Sequence, residues 1–191
     1  MPKLILGLVG RKGSGKGTVA NILAERYGAK VFRFSAVLAD ILRRMALEET
    51  HDNLIRLSEI LRHEFGEDVL RHAIMAQIER DGGDLIVLDG LRRIEDLKGF
   101  EALGTFKILN VTAPLELRYK RITVRDEKAK ETEMTFDEFV RMQTSAPTEV
   151  TIADVEARAT YHIDNSGTQD ELASKVEEIV RVLQASQNST A

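Results

Sequence analysis

The chain has no cysteine and no tryptophan, only three prolines, and an aromatic content of 5% across 191 residues. Without thiols it can form neither disulfides nor thiolate-rich metal sites, which fits a cytoplasmic protein. Scarce aromatics remove the stacking platform on which single-strand nucleic-acid binders rely. A formal net charge of -4 adds no overall attraction to nucleic acid or to an anionic membrane. The histidines, His51, His63, His72 and His162, are scattered and show no metal-ligand spacing. Long apolar runs are also missing. Leu4 to Val9 is far short of the ~20 residues that span a bilayer, and it leads into glycines rather than a cleavage pattern. The expectation is a soluble, cytoplasmic domain over residues 1–185 with a flexible tail at 186–191.

What is present is alternation. Leu4–Val9, Val31–Phe34, Leu85–Leu88, Phe106–Thr112 and Thr160–Ile163 read as strands. Between them apolar residues recur at helical spacing: Val19, Ile22 and Leu23; Val37, Leu38, Ile41 and Leu42; Leu54, Leu57 and Leu61; Leu172, Val176, Ile179 and Leu183. Asp68 to Arg80 reads as a further helix, as does a segment from Ile94 toward Leu103. Pro114 opens another helix. Thr135 with Glu138, and Thr168 with Glu171, have the spacing of capping boxes. Strands alternating with helices give an α/β fold with a parallel sheet covered on both faces.

Gly10-Arg-Lys-Gly13-Ser14-Gly15-Lys16-Gly17-Thr18 follows the first strand and opens the first helix. Glycines at 10, 13 and 15 allow a tight turn that aims successive N–H groups at one point, to which the helix adds its positive end. Lys16 is placed to reach the β- and γ-phosphates of a nucleotide. Thr18 offers a hydroxyl to a phosphate oxygen or to the hydration shell of Mg²⁺. A lysine ending the loop favours a terminal polyphosphate over a dinucleotide. The cofactors expected are ATP and Mg²⁺.

Other chemistry-bearing residues follow strand ends. Asp89 is a carboxylate where a parallel sheet opens beside the phosphate loop, so it is a candidate metal ligand. Arg92 could grip the phosphate of an acceptor. Ser35, Asp40 and Arg43 lie on or after the second strand as acceptor-binding candidates, with Arg62 a weaker one of the same kind. Arg118, Arg121 and Arg125 share one helix face, and a row of arginines at a phosphate cleft can neutralise transition-state charge. A solvated basic face pairing with nearby glutamates is the alternative for that row.

Gly13-Ser-Gly-Lys-Gly-Thr18 resembles the loop of adenylate kinase and related nucleoside monophosphate kinases, which also place glycine directly after the lysine. Asp89-Gly90-Leu91-Arg92 resembles the Asp-Gly-x-Arg that follows the third strand in archaeal nucleotide-kinase-like proteins. Leu57 to Ile78, with Phe65-Gly66-Glu67-Asp68, is similar to a segment of phage-type deoxynucleoside monophosphate kinases. Arg118 to Arg125 looks like the start of a kinase lid. Ile163-Asp164-Asn165-Ser166-Gly167 is similar to the Ile-Asp-Asn-x-Gly of dephospho-CoA kinases, where that loop lies against the adenine. The chain departs from dephospho-CoA kinases in having no His-Pro and in carrying Phe34-Ser35-Ala36 where they carry paired aspartates.

The resemblance implies a three-layer P-loop kinase fold with a five-stranded parallel sheet, the P-loop strand central, a helical acceptor-binding region at 35–80 and a lid at 118–146. It implies phosphoryl transfer from ATP to a nucleoside or deoxynucleoside monophosphate. Lys16, Arg118, Arg121 and Arg125 would be catalytic. Gly10, Gly13, Ser14, Gly15, Lys16, Gly17, Thr18 and Asn165 would bind the nucleotide; Ser35, Asp40, Arg43 and Arg92 the acceptor; Asp89 and Thr18 the metal. Dephospho-CoA phosphorylation stays open as an alternative, as does a regulatory P-loop ATPase contacting protein or RNA. The expected partner is a small-molecule nucleotide, with no membrane, and nothing in the sequence fixes an oligomeric state.

Overall fold

The computed structural model describes residues 4–100, 105–124, 134–145 and 147–188. Its strands are β1 (Leu4–Val9), β2 (Lys30–Arg33), β3 (Leu85–Asp89), β4 (Phe106–Thr112) and β5 (Tyr161–Asp164). Its helices are α1 (Lys16–Tyr27), α2 (Phe34–Arg44), α3 (His51–Phe65), α4 (Val69–Asp81), α5 (Leu115–Val124), α6 (Phe136–Ser145), α7 (Pro147–Glu156) and α8 (Gln169–Asn188). The strands form one sheet in the order β2-β3-β1-β4-β5, and every pairing is parallel. The expected α/β architecture, with the P-loop strand central, is the one observed. No helix among the described residues is long and apolar enough to cross a membrane.

The alternation of side chains along each strand splits the core into two layers. Leu4, Leu6 and Leu8 join Val87, Leu109 and Val111 under Val19 and Leu23 of α1 and Val176 and Val180 of α8. Ile5 and Val9 join Ile86, Leu88 and Ile108 under Leu38 of α2, Ile74 and Ile78 of α4, and Ile152 and Val155 of α7. Both faces of the sheet are therefore dry, as a parallel sheet requires.

Several elements differ from the sequence pattern. The helix expected from Ile94 is a single 3₁₀ turn ending at Leu97, because Asp96 is buried inside it and binds backbone N–H groups; Gly99 follows with φ +88°. α7 is not anticipated by the apolar spacing. α8 continues to Asn188, into the expected tail. Both capping boxes form. Thr135 N–H and hydroxyl donate to Glu138 at 2.7 and 2.8 Å, and Glu138 N–H returns a bond to Thr135. Thr168 and Glu171 repeat the exchange at the start of α8.

The far end of the expected lid is packed. Phe139 of α6 is fully buried. Tyr119 of α5 lies 5.7 Å from its ring centroid, and the Arg118 guanidinium stands over the ring at 5.6 Å. Tyr119 also donates its hydroxyl to Met134 O at 2.9 Å. Phe139→Ala should lower stability by about 3–5 kcal/mol, the range for a buried aromatic, read as a lower urea midpoint at constant m. The hydrogen bonds from Thr135, backbone first and hydroxyl second, hold the Glu138 carboxyl below its ordinary range. A lowered folded-state value stabilises above the unfolded value and the gain disappears as pH falls through the folded one. The Tm gap between wild type and Glu138→Gln should therefore shrink as pH falls from neutral through the carboxylate range.

Candidate active site

Parallel pairing brings the carboxyl ends of all the strands to one edge of the sheet, where ligands of open α/β sheets bind. The loop after β1 lies there, with Ser35 after β2, Asp89 closing β3, α5 following β4, and Asn165 after β5. They border a cleft of about 750 Å³.

The phosphate loop is fixed by close approach to its neighbours. Gly10 has φ +144°, and a Cβ there would stand 2.2 Å from Val111 O. Gly15 has φ +102°, and a Cβ there would stand 2.1 Å from Asn165 Nδ2. No other residue type fits either place. Gly13, with φ +80°, is also close-packed: a Cβ there would stand 2.6 Å from Arg118 O. Asn165 is 5% exposed; its Nδ2 donates to Ser14 O at 2.8 Å and its N–H to Thr112 O at 2.8 Å. It thus ties the β5 end to the loop and the β4 end while also bordering the cleft.

Lys16 opens α1 and donates Nζ to Gly10 O at 2.5 Å and Arg11 O at 3.3 Å. Its ammonium is held at the loop carbonyls, within the cleft it lines. Gly17 has nothing within 4 Å of a built Cβ, so the space above the first turn of α1 is open. Thr18 lines the same space. Ser14 does not: it is 1% exposed, its hydroxyl is buried without a hydrogen-bond partner, and its N–H donates to Arg11 O at 3.1 Å. Leu117, Ile122 and Leu172 give the cleft an apolar wall, beside Lys120, Gly167 and Gln169.

A second pocket of about 290 Å³ opens toward α2 and α3, with an apolar side of Phe34, Leu38, Leu54, Ile55 and Leu70. Lys16, Ser35, Asp89 and Arg92 line both cavities. Asp89 Oδ2 accepts from Arg33 Nε at 3.3 Å. The two cavities thus meet at a cation, a hydroxyl, a carboxylate and a guanidinium.

Other expected site residues lie elsewhere. Phe34, Leu38 and Leu42 bury one stripe of α2, which turns Asp40 and Arg43 to the outer face. There Asp40 pairs with Arg43 and Arg44 at 3.4 and 2.8 Å, and Arg43 with Glu49 at 3.1 Å. Neither lines a cavity of the site. The arginine row also divides. Arg121 lines the cleft and donates to Asn165 O at 2.9 Å. Arg118 is 7% exposed and turns beneath the loop, donating to Ala113 O and Lys12 O at 3.2 Å and to Gln143 Oε1. It supports the loop rather than facing the cleft. Arg125 lies outside the described residues. Arg62, the weaker acceptor-binding candidate, does line the second cavity, with its guanidinium buried against Asp96 at 2.6 Å. Sequence reading missed Asp96 and Gln143 altogether, because nothing in local spacing separates them from the solvated carboxylates and amides around them.

The sheet order and loop define a P-loop kinase-like protein. The family described as "AAA domain" matches residues 9–139. A UPF0200 protein of Saccharolobus islandicus strain M.16.4 is 32% identical over 188 residues, covering 95% of this chain and 94% of that one. A UPF0200 protein of Hyperthermus butylicus is 29% identical over 178 residues, covering 93% and 94%. The chain belongs to the UPF0200 family, with an AAA domain over residues 9–139. Among solved structures it is similar to TT1252 from Thermus thermophilus, with a TM-score of 0.60, 25% identity, and coverage of 97% and 98%. It also shares its fold with shikimate kinase from Bacteroides thetaiotaomicron, at a TM-score of 0.64, 13% identity, and coverage of 95% and 98%.

The contrast between two loop glycines is directly testable. Gly15→Ala should disrupt the loop, abolishing any nucleotide binding there, and lower Tm, because its Cβ collides with Asn165. Gly17→Ala should fold normally and raise stability by up to about 1 kcal/mol, since alanine is the better helix former. Equilibrium titration with ATP and thermal melts on both variants check this.

Proposed function

We propose that the protein transfers the γ-phosphoryl group of ATP to a nucleoside or deoxynucleoside monophosphate. The observation that supports this reading is the pair of cavities meeting at Lys16, Ser35, Asp89 and Arg92. Group transfer needs donor and acceptor in line at one junction, whereas hydrolysis alone needs only the first cavity. The shared fold with shikimate kinases fits transfer to a small acceptor. The size of the second cavity, about 290 Å³, favours a compact monophosphate over dephospho-CoA with its long pantetheine arm.

In this reading the polyphosphate lies along the loop N–H groups and the first turn of α1, and the base lies against the apolar wall of Leu117, Ile122 and Leu172. Lys16 leaves the Gly10 and Arg11 carbonyls for the β- and γ-phosphates. Arg121 neutralises charge from the opposite wall, and Arg92 grips the acceptor phosphate. Ser35, at the start of α2, donates to the acceptor. Asp89 and Thr18 suit Mg²⁺, which takes one or two protein oxygens and the rest from phosphate and water. No group of three or more metal-ligating side chains exists among the described residues, so the phosphates would complete its shell. Bound there, Mg²⁺ would offset the charge of the transferring group. The segment at 118–146 would act as the lid; residues 125–133 of it lie outside the described residues, and Phe136 and Phe139 pack against Tyr119.

The test is ADP formation from Mg-ATP with a panel of nucleoside and deoxynucleoside monophosphates and dephospho-CoA. Turnover should depend on a monophosphate. Lys16→Ala should lower kcat/KM at least roughly 100-fold. Arg92→Ala should raise acceptor KM roughly 10- to 100-fold through loss of a charge-assisted bond, with ATP binding unchanged. Phosphate release at the same rate without acceptor would instead favour a regulatory ATPase. Full activity in Lys16→Ala would overturn the mechanism.

A further inference from the structure

The second cavity is built around a buried ion pair that the transfer scheme leaves unused. Asp96 is 1% exposed and Arg62 is 5% exposed. Arg62 Nη2 donates to Asp96 Oδ1 at 2.6 Å. Asp96 Oδ2 accepts the backbone N–H groups of Arg92 and Arg93, each at 3.1 Å. One carboxylate therefore joins α3 to the loop that carries Arg92. Arg62 is itself locked, donating to Glu67 O and, at 3.4 Å, to Ser58 Oγ. Arg93 adds a second tie, at 2.6 Å, to the Glu67 carboxylate. Arg62 and Asp96 line the second cavity, and neither lines the nucleotide cleft.

A buried ion pair is a poor source of stability, because the desolvation of both ions offsets their attraction. Packed apolar residues would hold α3 at least as well. What apolar residues cannot do is accept two adjacent backbone N–H groups and so fix the path of the chain at Arg92. We propose that Arg62 and Asp96 are positioning residues for the acceptor: through the Arg92 and Arg93 amides they set the Arg92 guanidinium at the junction. This rests on the two-cavity reading above. It makes α3 a determinant of acceptor affinity that acts at a distance from the nucleotide.

Asp96→Asn alone strands a buried Arg62 charge, so the main variant is Arg62→Met combined with Asp96→Asn. It severs the ionic link while retaining an amide oxygen near the loop. Arg62→Lys is the conservative comparison. Equilibrium binding is measured separately for Mg-ATP and for the nucleoside monophosphates of the panel, with hydrogen exchange followed over residues 89–97. ATP affinity should stay within about twofold of wild type, as for uncoupled sites. Monophosphate affinity should fall roughly tenfold or more in the double variant, a scale set by displacing a positioned group, and less in Arg62→Lys. Exchange should quicken at 89–97 and not in β1 or α1. Unchanged monophosphate affinity, or a parallel loss of both affinities, would overturn the proposal and leave an ordinary structural pair. If the wild type binds no monophosphate, the two-cavity reading fails. Exchange then decides the inference: faster exchange confined to the loop upholds its positioning role, and wild-type exchange overturns it.

Discussion

The site depends on how closely the phosphate loop is pressed against the ends of its neighbouring strands. Three glycines place bare backbone against Val111 O, the Arg118 backbone and the Asn165 amide. Asn165 then bonds Ser14 O from one side, and Arg118 bonds Lys12 O from the other. A loop whose N–H groups must converge on a polyphosphate cannot reorganise cheaply on binding, and this packing fixes it beforehand. The parallel sheet supplies the frame. β1 is flanked by β3 and β4, so the loop after it sits between Asp89 on one side and α5 on the other.

The two faces of the molecule share this burden unequally. α1 and α8 close one layer of the core and leave the nucleotide cleft at their ends. α2, α4 and α7 cover the other, where α2, α3 and α4 border the smaller cavity. Arg118 links the loop to α6 through Gln143, while Asp96 links the loop after β3 to α3. Each cavity thus has its own buried polar anchor, and among the described residues four line both. In the proposed reaction, such a division would let donor and acceptor bind independently and meet at one point.

Much of this was legible in the sequence because it is local. The loop glycines, Lys16, Asp89 and Ser35 are fixed by their distance from a strand end, and strand ends are read from short apolar runs. Both capping boxes were legible for the same reason. The residues that went astray are those whose setting depends on tertiary packing. Arg118, Arg121 and Arg125 share a helical spacing, but helical phase does not say which member faces the loop from below; Arg118 does, and is buried. Asp40 and Arg43 follow a strand end, yet the buried apolar stripe of Phe34, Leu38 and Leu42 rotates them outward. Arg62 and Asp96 are separated by 34 residues, and no short-range pattern connects them.

The proposed reaction requires donor and acceptor to meet at Lys16 and Arg92. The most direct measurement follows the label of γ-labelled ATP in the presence of a nucleoside monophosphate mixture and Mg²⁺. Transfer at this junction should put the label in a nucleoside diphosphate. Label recovered only as inorganic phosphate, at a rate indifferent to the monophosphates, would contradict it.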